Sequence, residues 1–307
     1  MVLPISGHTA LVGVLGDPVR HSLSPAMHNA ALVELGLDWV YLALPAPAEQ
    51  LNTVVQGLEA LDCRGLNVTL PHKQAVARLC RSLSPLAERV GAVNTLIRHP
   101  QGGWLGDNTD VTGFLAPLQA SGNAWQDQQA VVLGCGGSAR AVVAALVELG
   151  CGAIHIAGRS PEKLEALLAP CRHWAPQLRG LSWQPTSPAL GDALATADLV
   201  VNTTPVGMAS ATNPEAAQQS PLTPAELEAL RPGSTVYDLI YTPRPTALLQ
   251  AASARGCHSL DGLEMLVQQG AAALRLWSDL ETVPVAAMRA AALAQLSGGN
   301  SGGNNRP

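Results

Sequence analysis

The stretch "AVVLGCGGSARAVVAALVELG" (130–150) decides the fold of the second half of the chain. An apolar run typical of a buried strand turns through glycines and continues as an apolar-faced run typical of a helix. Between the two, Gly134, Gly136 and Ala139 form the pattern G-x-G-x-x-A. In such a turn the first glycine allows the tight bend, the second lets a pyrophosphate approach the backbone, and the small third residue lets helix and strand pack closely. We therefore predict a dinucleotide site, with the phosphates at the helix N-terminus.

The end of the next predicted strand, "AIHIAGR" (153–159), indicates which dinucleotide binds. An NAD site usually carries Asp or Glu at this point, where it holds the ribose 2′-hydroxyl. Here Arg159, Ser160 and Lys163 occupy the place, and their positive charge suits a 2′-phosphate. The sequence therefore favours NADP, although an ordinary solvated helix start that includes Glu162 would look similar.

Strands and helices alternate along the rest of the chain, which predicts an α/β protein with parallel sheets. Strands are predicted at 10–16, 39–45, 65–70, 199–205 and 234–241, and helices at 24–36, 48–61, 72–83, from Pro161 and near 224–230. A first α/β domain fills about 1–118, and the polar stretch 119–129 is a linker candidate. After Tyr241 we expect mostly helix to about Leu296, and then a disordered tail at 297–307.

Composition and charge exclude several functional classes. The chain has 307 residues, is 47% hydrophobic and has a mean hydropathy of +0.17, enough for two apolar cores. A net charge of −5 without any Lys/Arg cluster argues against nucleic acid. The N-terminal stretch is not typical of a signal peptide, and the most apolar region is too interrupted to span a membrane. Six scattered cysteines and eight histidines show no ligand spacing, so we expect a cytoplasmic protein with no metal.

Two polar stretches in the first domain are candidates for substrate chemistry. "HSLSP" (21–25) places the hydroxyls of Ser22 and Ser24 at a helix start, where free N–H groups attract anions such as a carboxylate. Ser24 before Pro25 also reads as a plain N-cap, whereas Ser22 is not needed for capping. "NVTLPHK" (67–73) places Lys73 in a first helical turn, where a cation costs on the order of 0.3–1 kcal/mol.

A lysine at that unfavourable place suggests proton transfer, provided that it has a partner. "GDNTD" (106–110) supplies Asp107 and Asp110 as candidates, and "GAVNT" (91–95) supplies Asn94. Each of these residues is also ordinary for a helix cap or a turn.

Taken together, the motifs resemble one family. "HSLSP", "NVTLPHK", "GAVNT", "GDNTD", "GCGGSAR", "NTTPVGM", "DLIYTPRPTALL" and "DGLEMLVQQGAAALRLW" follow one another between about residues 10 and 290. In this order they resemble shikimate dehydrogenase. The resemblance implies reversible, NADPH-dependent reduction of 3-dehydroshikimate to shikimate, a step of the shikimate pathway towards chorismate and the aromatic amino acids.

The resemblance also implies roles for individual residues. Lys73 and Asp110 would be the catalytic pair, with the shikimate carboxylate held by Ser22 and Ser24. Other polar groups of the substrate would be bound by Lys73, Asp110, Thr69, Asn94, Tyr241 and Gln269. The cofactor would be bound by Gly134, Cys135, Gly136, Gly137, Ser138, Gly158, Arg159, Ser160, Lys163, Thr203, Leu239 and Gly262.

The family layout further implies that the last helices return to the first domain. The substrate-binding domain would then be discontinuous, 1–118 plus 262–296, around an NADP-binding Rossmann domain at 119–261, with a cleft between them. The chain departs from the family pattern at a few positions. Glu264 stands where glycine is common, Gly158 replaces an asparagine, and Lys163 replaces an arginine.

Three alternatives remain open on the sequence. The first is an NAD-using quinate/shikimate dehydrogenase, although the chain has no acidic residue after the second strand of the dinucleotide domain. The second is a relative such as methylenetetrahydrofolate dehydrogenase, against which the "SLSP" site argues. The third is a non-catalytic dinucleotide sensor, which would not need both Lys73 and Asp110. We expect a monomer or a homodimer.

Overall fold

The computed structural model describes residues 5–184, 188–209 and 213–298. The first elements are β1 (Ala10–Gly16), α1 (Ser24–Leu35), β2 (Trp39–Pro45), a 3-10 turn (Ala48–Gln50), α2 (Leu51–Ala60), β3 (Gly65–Val68), α3 (Lys73–Ala77), β4 (Ser82–Leu83), α4 (Pro85–Val90), β5 (Thr95–Arg98), β6 (Trp104–Asp107) and α5 (Asp110–Ala120). They are followed by β7 (Gln129–Leu133), α6 (Gly137–Glu148), β8 (Ala153–Gly158), α7 (Pro161–Cys171), β9 (Leu178–Ser182), α8 (Ala189–Thr196), β10 (Leu199–Asn202), a 3-10 turn (Pro214–Gln218), α9 (Pro224–Glu228), β11 (Thr235–Asp238), α10 (Ala247–Ala254), β12 (His258–Asp261), α11 (Leu263–Ser278) and α12 (Val285–Gly298).

The chain divides into two compact units. One contains the residues up to 113 together with those from 266 onward, and the other contains 114–265. Within the described ranges, each unit is built on one six-stranded sheet. The predicted α/β class is therefore confirmed.

The sheet of the first unit has the order β2-β1-β3-β5-β6-β4. Its strand pairs are parallel except those of β5, which runs antiparallel to both β3 and β6. The cause is the short connection between β5 and β6, since neighbouring strands joined by a few residues must run in opposite directions.

The sheet of the second unit has the order β12-β11-β10-β7-β8-β9, and all its pairs are parallel. This is the doubly wound order in which the strand sequence reverses between β7 and β10. Ligands of such sheets bind at the carboxyl ends of the strands beside the reversal. The glycine pattern of 134–139 follows β7 at that point.

The helices after β12 complete the first unit. The indole N–H of Trp277 on α11 donates to the carbonyl oxygen of Leu96 at 3.0 Å, and α12 packs on α1. The indole lies directly over Gly65 of β3, where an added Cβ would stand 2.2 Å from Trp277 Cδ1. A side chain at position 65 would therefore displace α11 from the sheet.

We expect Gly65→Ala to destabilise the protein by about 1–3 kcal/mol, because the rigid, hydrogen-bonded indole cannot move aside cheaply. Urea unfolding measures the change. Gly57→Ala is the matched control: it lies on the exposed side of α2 with no atom within 4 Å of an added Cβ, and removing a mid-helix glycine should stabilise by about 0.5–1 kcal/mol. Equal effects of the two substitutions would contradict the packing argument.

Several element boundaries differ from the prediction. The helix predicted at 72–83 ends at Ala77, and its last two residues form β4, which pairs with β6. The strands β9 and β12 and the helix α8 were not predicted. Helix α12 continues to Gly298, so only 299–307 of the expected tail lie outside the described residues. No helix in the described ranges is both long and apolar enough to cross a membrane.

Candidate active site

A lysine and a carboxylate form the centre of the candidate site in the first unit. Lys73, the first residue of α3, donates from Nζ to Oδ2 of Asp110 at 2.5 Å. Their side chains are 13% and 7% exposed, so the pair is largely shielded from water yet still reachable. Since α3 is only five residues long, its dipole is weaker than the predicted longer helix would have had, and the carboxylate compensates the cation.

Buried Asn94 orients this pair. Its Nδ2 donates to Oδ1 of Asp110 at 2.9 Å, and its Oδ1 accepts from the backbone N–H of Thr109 at 2.7 Å. The same Nδ2 lies 3.4 Å from Oε1 of Gln269 on α11. Asn94 is 2% exposed, and the loop before β5 therefore holds Oδ1 of the Asp110 carboxylate in a fixed position, while Oδ2 contacts Lys73.

The other carboxylate of "GDNTD" has a different place. Asp107 accepts from Ser84 Oγ at 2.5 Å and from the backbone N–H of Asn108 at 2.8 Å. Ser84 is at the same time the N-cap of α4. Asp107 thus anchors the turn, and of the two candidates only Asp110 contacts Lys73.

The sequence predicted that Ser24, and not Ser22, would cap helix α1, and the structure shows the reverse. Leu23 stands at the N-cap of α1, and Ser24 is the first helical residue. The backbone N–H of Ser24 donates to Ser22 Oγ at 3.2 Å, so Ser22 is the residue that satisfies the helix start. The reading of Ser24 as N-cap is wrong, because the helix begins one residue earlier than the Ser-Pro step indicated.

Buried aromatic rings lie near Ser24. Burial raises the pKa of Tyr41, whose hydroxyl lies near Ser24 and donates to Oδ1 of Asn67 at 2.8 Å. The ring of His28 stacks on Tyr41 with centroids 4.1 Å apart. Burial lowers the pKa of His28 to about 3, so this ring is neutral at pH 7. Asn67 in turn donates to the carbonyl oxygen of Asn94 at 3.3 Å, which links the serine side of the unit to the Asp110 side.

The remaining substrate candidates lie on different elements. Thr69 follows β3, and its backbone N–H donates to the carbonyl oxygen of Leu15 at 2.8 Å. Gln269 joins the Asn94 cluster from α11. Tyr241 belongs to the second unit, after β11, where burial raises the pKa of its hydroxyl.

In the second unit, the glycine turn leaves room for a phosphate. Gly134 has φ +101°, and a Cβ there would lie 2.9 Å from Thr203 Oγ1, so only glycine fits. Gly136 and Gly137 have no atom within 4 Å of an added Cβ, and Gly136 caps α6 without any side-chain hydrogen bond. Open space thus adjoins the free N–H groups of a twelve-residue helix, which is what a pyrophosphate requires.

The residues after β8 carry positive charge, as the sequence indicated. Arg159 is exposed, with its Cζ 4.7 Å from the centroid of the Trp183 ring. Ser160 caps α7 by accepting from the backbone N–H of Lys163 at 3.2 Å. Burial raises the pKa of the Cys135 thiol, and the charges of Lys163 and Arg140 oppose this rise. Cys135 therefore lies beside the cationic side of the turn.

The last cofactor candidates lie around β10 and β11. Thr203 donates from Oγ1 to the carbonyl oxygen of Leu133 at 2.8 Å. A Cβ at Gly262 would stand 2.0 Å from the carbonyl oxygen of Leu239, so these two backbones touch. The sequence reasoning missed Asp238, which is fully buried, accepts from Asn202 and Thr246, and has its pKa raised by burial. The one sequence feature that could have indicated Asp238 is its position near the end of a predicted strand, directly before "LIY".

Two buried amides were also missed. Asn67 is described above, and Asn108 accepts from the backbone N–H of Asp110 at 3.1 Å and donates to the carbonyl oxygen of Ala92 at 2.9 Å. Both are 5% exposed or less, and the sequence around a short polar residue does not indicate such burial. No cluster of three or more His, Cys, Asp or Glu side chains suited to a metal occurs in the described part of the chain.

Two family models match the chain: the shikimate dehydrogenase substrate binding domain at 14–96 and the shikimate 5'-dehydrogenase C-terminal domain at 262–293. The chain is 49% identical to the shikimate dehydrogenase (NADP(+)) of Synechococcus sp. (strain JA-3-3Ab), over 95% of this chain and 96% of that one.

Two crystal structures are also similar. Shikimate 5-dehydrogenase from Thermus thermophilus, in complex with NADP(H) and shikimate, is 38% identical with a TM-score of 0.80, covering 93% of this chain and 99% of that one. The Listeria monocytogenes enzyme, in complex with shikimate and NAD, is 34% identical with a TM-score of 0.84, covering 94% and 98%. The resemblance inferred from the motifs is confirmed, and the chain belongs to the shikimate dehydrogenase family.

Proposed function

We propose that this protein catalyses the reversible, NADPH-dependent reduction of 3-dehydroshikimate to shikimate in the shikimate pathway. The observation that carries the proposal is the Lys73–Asp110 contact of 2.5 Å, oriented by Asn94 in a largely buried cluster. Proton transfer needs an ionisable group that is held in one position, and this contact holds the Lys73 ammonium.

In this mechanism, Lys73 donates a proton from Nζ to the C3 oxygen of the substrate as negative charge develops there. Asp110 holds the Lys73 side chain in one orientation and stabilises its charge. Asn94 fixes the carboxylate through Oδ1, so that Oδ2 stays directed at the lysine. In the direction of shikimate oxidation, the same pair accepts the proton from the C3 hydroxyl. NADPH, when bound, supplies the hydride.

Substrate orientation belongs to the same proposal. Ser22 and Ser24 would bind the carboxylate at the start of α1, while Thr69, Asn94, Gln269 and Tyr241 would bond the ring hydroxyls. The hydrogen bonds from Tyr41 to Asn67 and from Asn67 to the carbonyl oxygen of Asn94 support this assignment, because they fix the buried residues between the serines and Asp110. The substrate-binding domain is proposed as 1–118 plus 262–296, the NADP domain as 119–261.

The glycine turn fits the pyrophosphate of a dinucleotide, and the positive charge after β8 favours NADP. The pyrophosphate would be bound at Gly134, Cys135, Gly136, Gly137 and Ser138, and the adenosine ribose at Gly158, Arg159, Ser160 and Lys163. The loops that carry Thr203, Leu239 and Gly262 would contact the nicotinamide half. The NAD-using quinate/shikimate alternative is not favoured, because Arg159 stands where an acidic residue would be needed.

We expect Arg159→Ala to weaken NADP binding by about 10- to 100-fold and NAD binding hardly at all, because only NADP carries the 2′-phosphate. Calorimetric titration with both dinucleotides measures this. Arg172→Ala is the matched control, since that arginine ends α7 and pairs with Glu165. Equal losses for NADP and NAD would refute the assignment of Arg159.

The activity itself is tested by following the near-ultraviolet absorbance of the reduced nicotinamide with shikimate or quinate and with NADP or NAD. We expect the shikimate and NADP pair to be turned over fastest. Tight NADP binding without turnover would instead indicate a sensor. A cytoplasmic location and a monomeric or homodimeric state complete the proposal, the first supported by six free cysteines.

A further inference from the structure

The guanidinium of Arg159 lies on the indole of Trp183. Its Cζ is 4.7 Å from the ring centroid, a distance typical of a cation–π contact. The contact follows from the sheet: β8 and β9 pair in parallel with Gly158 opposite Ser182, so the next residue of each strand is Arg159 and Trp183. The backbone N–H of Trp183 donates to the carbonyl oxygen of Gly158 at 3.0 Å and extends this pairing.

The indole of Trp183 is held in place by its own contacts within the second unit. Trp183 is 8% exposed and packs in the core cluster of the second unit with Leu190 and Leu194. Its Nε1 donates to Oε1 of Glu226 at 3.2 Å. The other oxygen of Glu226 accepts from the backbone and the hydroxyl of Thr223, in the capping box that begins α9. The ring therefore cannot turn without breaking these contacts.

The geometry suits phosphate recognition because the two interactions use different parts of the guanidinium. A stacked indole contacts the flat face, whereas the five N–H donors point outward in the plane of the group. Arg159 takes part in none of the ion pairs that the described residues form. The donors at the edge thus remain available to an incoming anion.

We propose that Trp183 is a positioning residue that pre-orients Arg159 for the 2′-phosphate of NADP and so contributes to the preference for NADP over NAD. An exposed arginine samples many rotamers and loses this freedom when it binds a ligand. The contact with Trp183 restricts the Arg159 side chain before the ligand binds, so less conformational entropy is lost on binding. Only a ligand that uses the guanidinium benefits, so NAD gains nothing. This inference rests on the proposed NADP dependence.

Calorimetric titration with adenosine 2′,5′-bisphosphate and with adenosine 5′-monophosphate tests the proposal on the whole protein. The two probes differ only in the 2′-phosphate. We expect Trp183→Leu to weaken the bisphosphate about two- to fivefold, the value of an exposed cation–π contact, and to leave the monophosphate unchanged. Trp183→Phe keeps an aromatic face without the Glu226 hydrogen bond and should lose less than Trp183→Leu.

A double-mutant cycle separates positioning from a general effect on the fold. In an Arg159→Ala background, Trp183→Leu should cause no further loss for either probe. Equal weakening of both probes by Trp183→Leu, or a loss that persists without Arg159, would overturn the role of Trp183. If Arg159→Ala alone left the bisphosphate affinity intact, the assignment of Arg159 to the 2′-phosphate would fail instead. Circular dichroism melting of each variant confirms that the titrated protein is folded.

Discussion

Lys73→Ala should lower kcat by about 10²- to 10⁴-fold and leave the affinity for shikimate within a factor of about three. The size follows from the loss of a positioned general acid–base group, which contributes about that much to a rate. Affinity should change little because the substrate would still be bound by the hydroxyls and amides of the site. Steady-state kinetics in the direction of shikimate oxidation, with direct binding of shikimate by calorimetry, measures both quantities.

Two further variants test whether proton transfer or mere charge is needed. Lys73→Arg keeps a cation near Asp110, but the guanidinium is not deprotonated in proteins, so turnover should remain low. Gln74→Ala, next along α3 and exposed, should behave as the unaltered enzyme. Near-normal turnover of either Lys73 variant would remove this residue from the mechanism.

Asp110→Asn should lower kcat by about 10²-fold or more, since the amide cannot stabilise the lysine charge and its NH₂ group can face Lys73 Nζ unfavourably. The shape of the side chain is kept, so the protein should remain folded. The expected signature is a loss of kcat with the unfolding midpoint in urea little changed.

Asp107→Asn is the matched control, because it makes the same chemical change three residues earlier. Asp107 accepts from Ser84 and Asn108 and does not contact Lys73. We expect it to cost about 1–2 kcal/mol of stability, with kcat changed by less than about threefold. If the two variants lost turnover to the same extent, the assignment of roles within "GDNTD" would be wrong.

The sequence predicted those parts of the fold that depend on local pattern. The glycine turn after β7 and the following helix were foreseen because only glycine suits the backbone of Gly134. The strand β4 was not foreseen, because "HKQAVARLCRSL" has helical spacing throughout, whereas α3 ends at Ala77 and the last two residues of the stretch pair with β6. Tertiary pairing overrides local preference there.

The candidate site was predictable to a similar degree. Lys73 was singled out because it stands against the helix dipole, and Asp110 because it lies in a polar turn. Asn67 and Asn108 were not, since their importance comes from burial and from partners far away in sequence. The contact of Arg159 with Trp183 could not be predicted either. It depends on the pairing of β8 with β9, and β9 is too polar to be recognised as a strand from its sequence.

The packing of α12 on α1 has a consequence for synthesis on the ribosome. The second unit, 114–265, emerges before the residues that complete the first unit, so the usual order in which the N-terminal domain folds first does not apply. At about 5–20 residues per second, tens of seconds separate the translation of α1 from that of α12. During that interval α1, whose Met27 and Ala31 are fully buried in the folded protein, lacks the helix that packs on it.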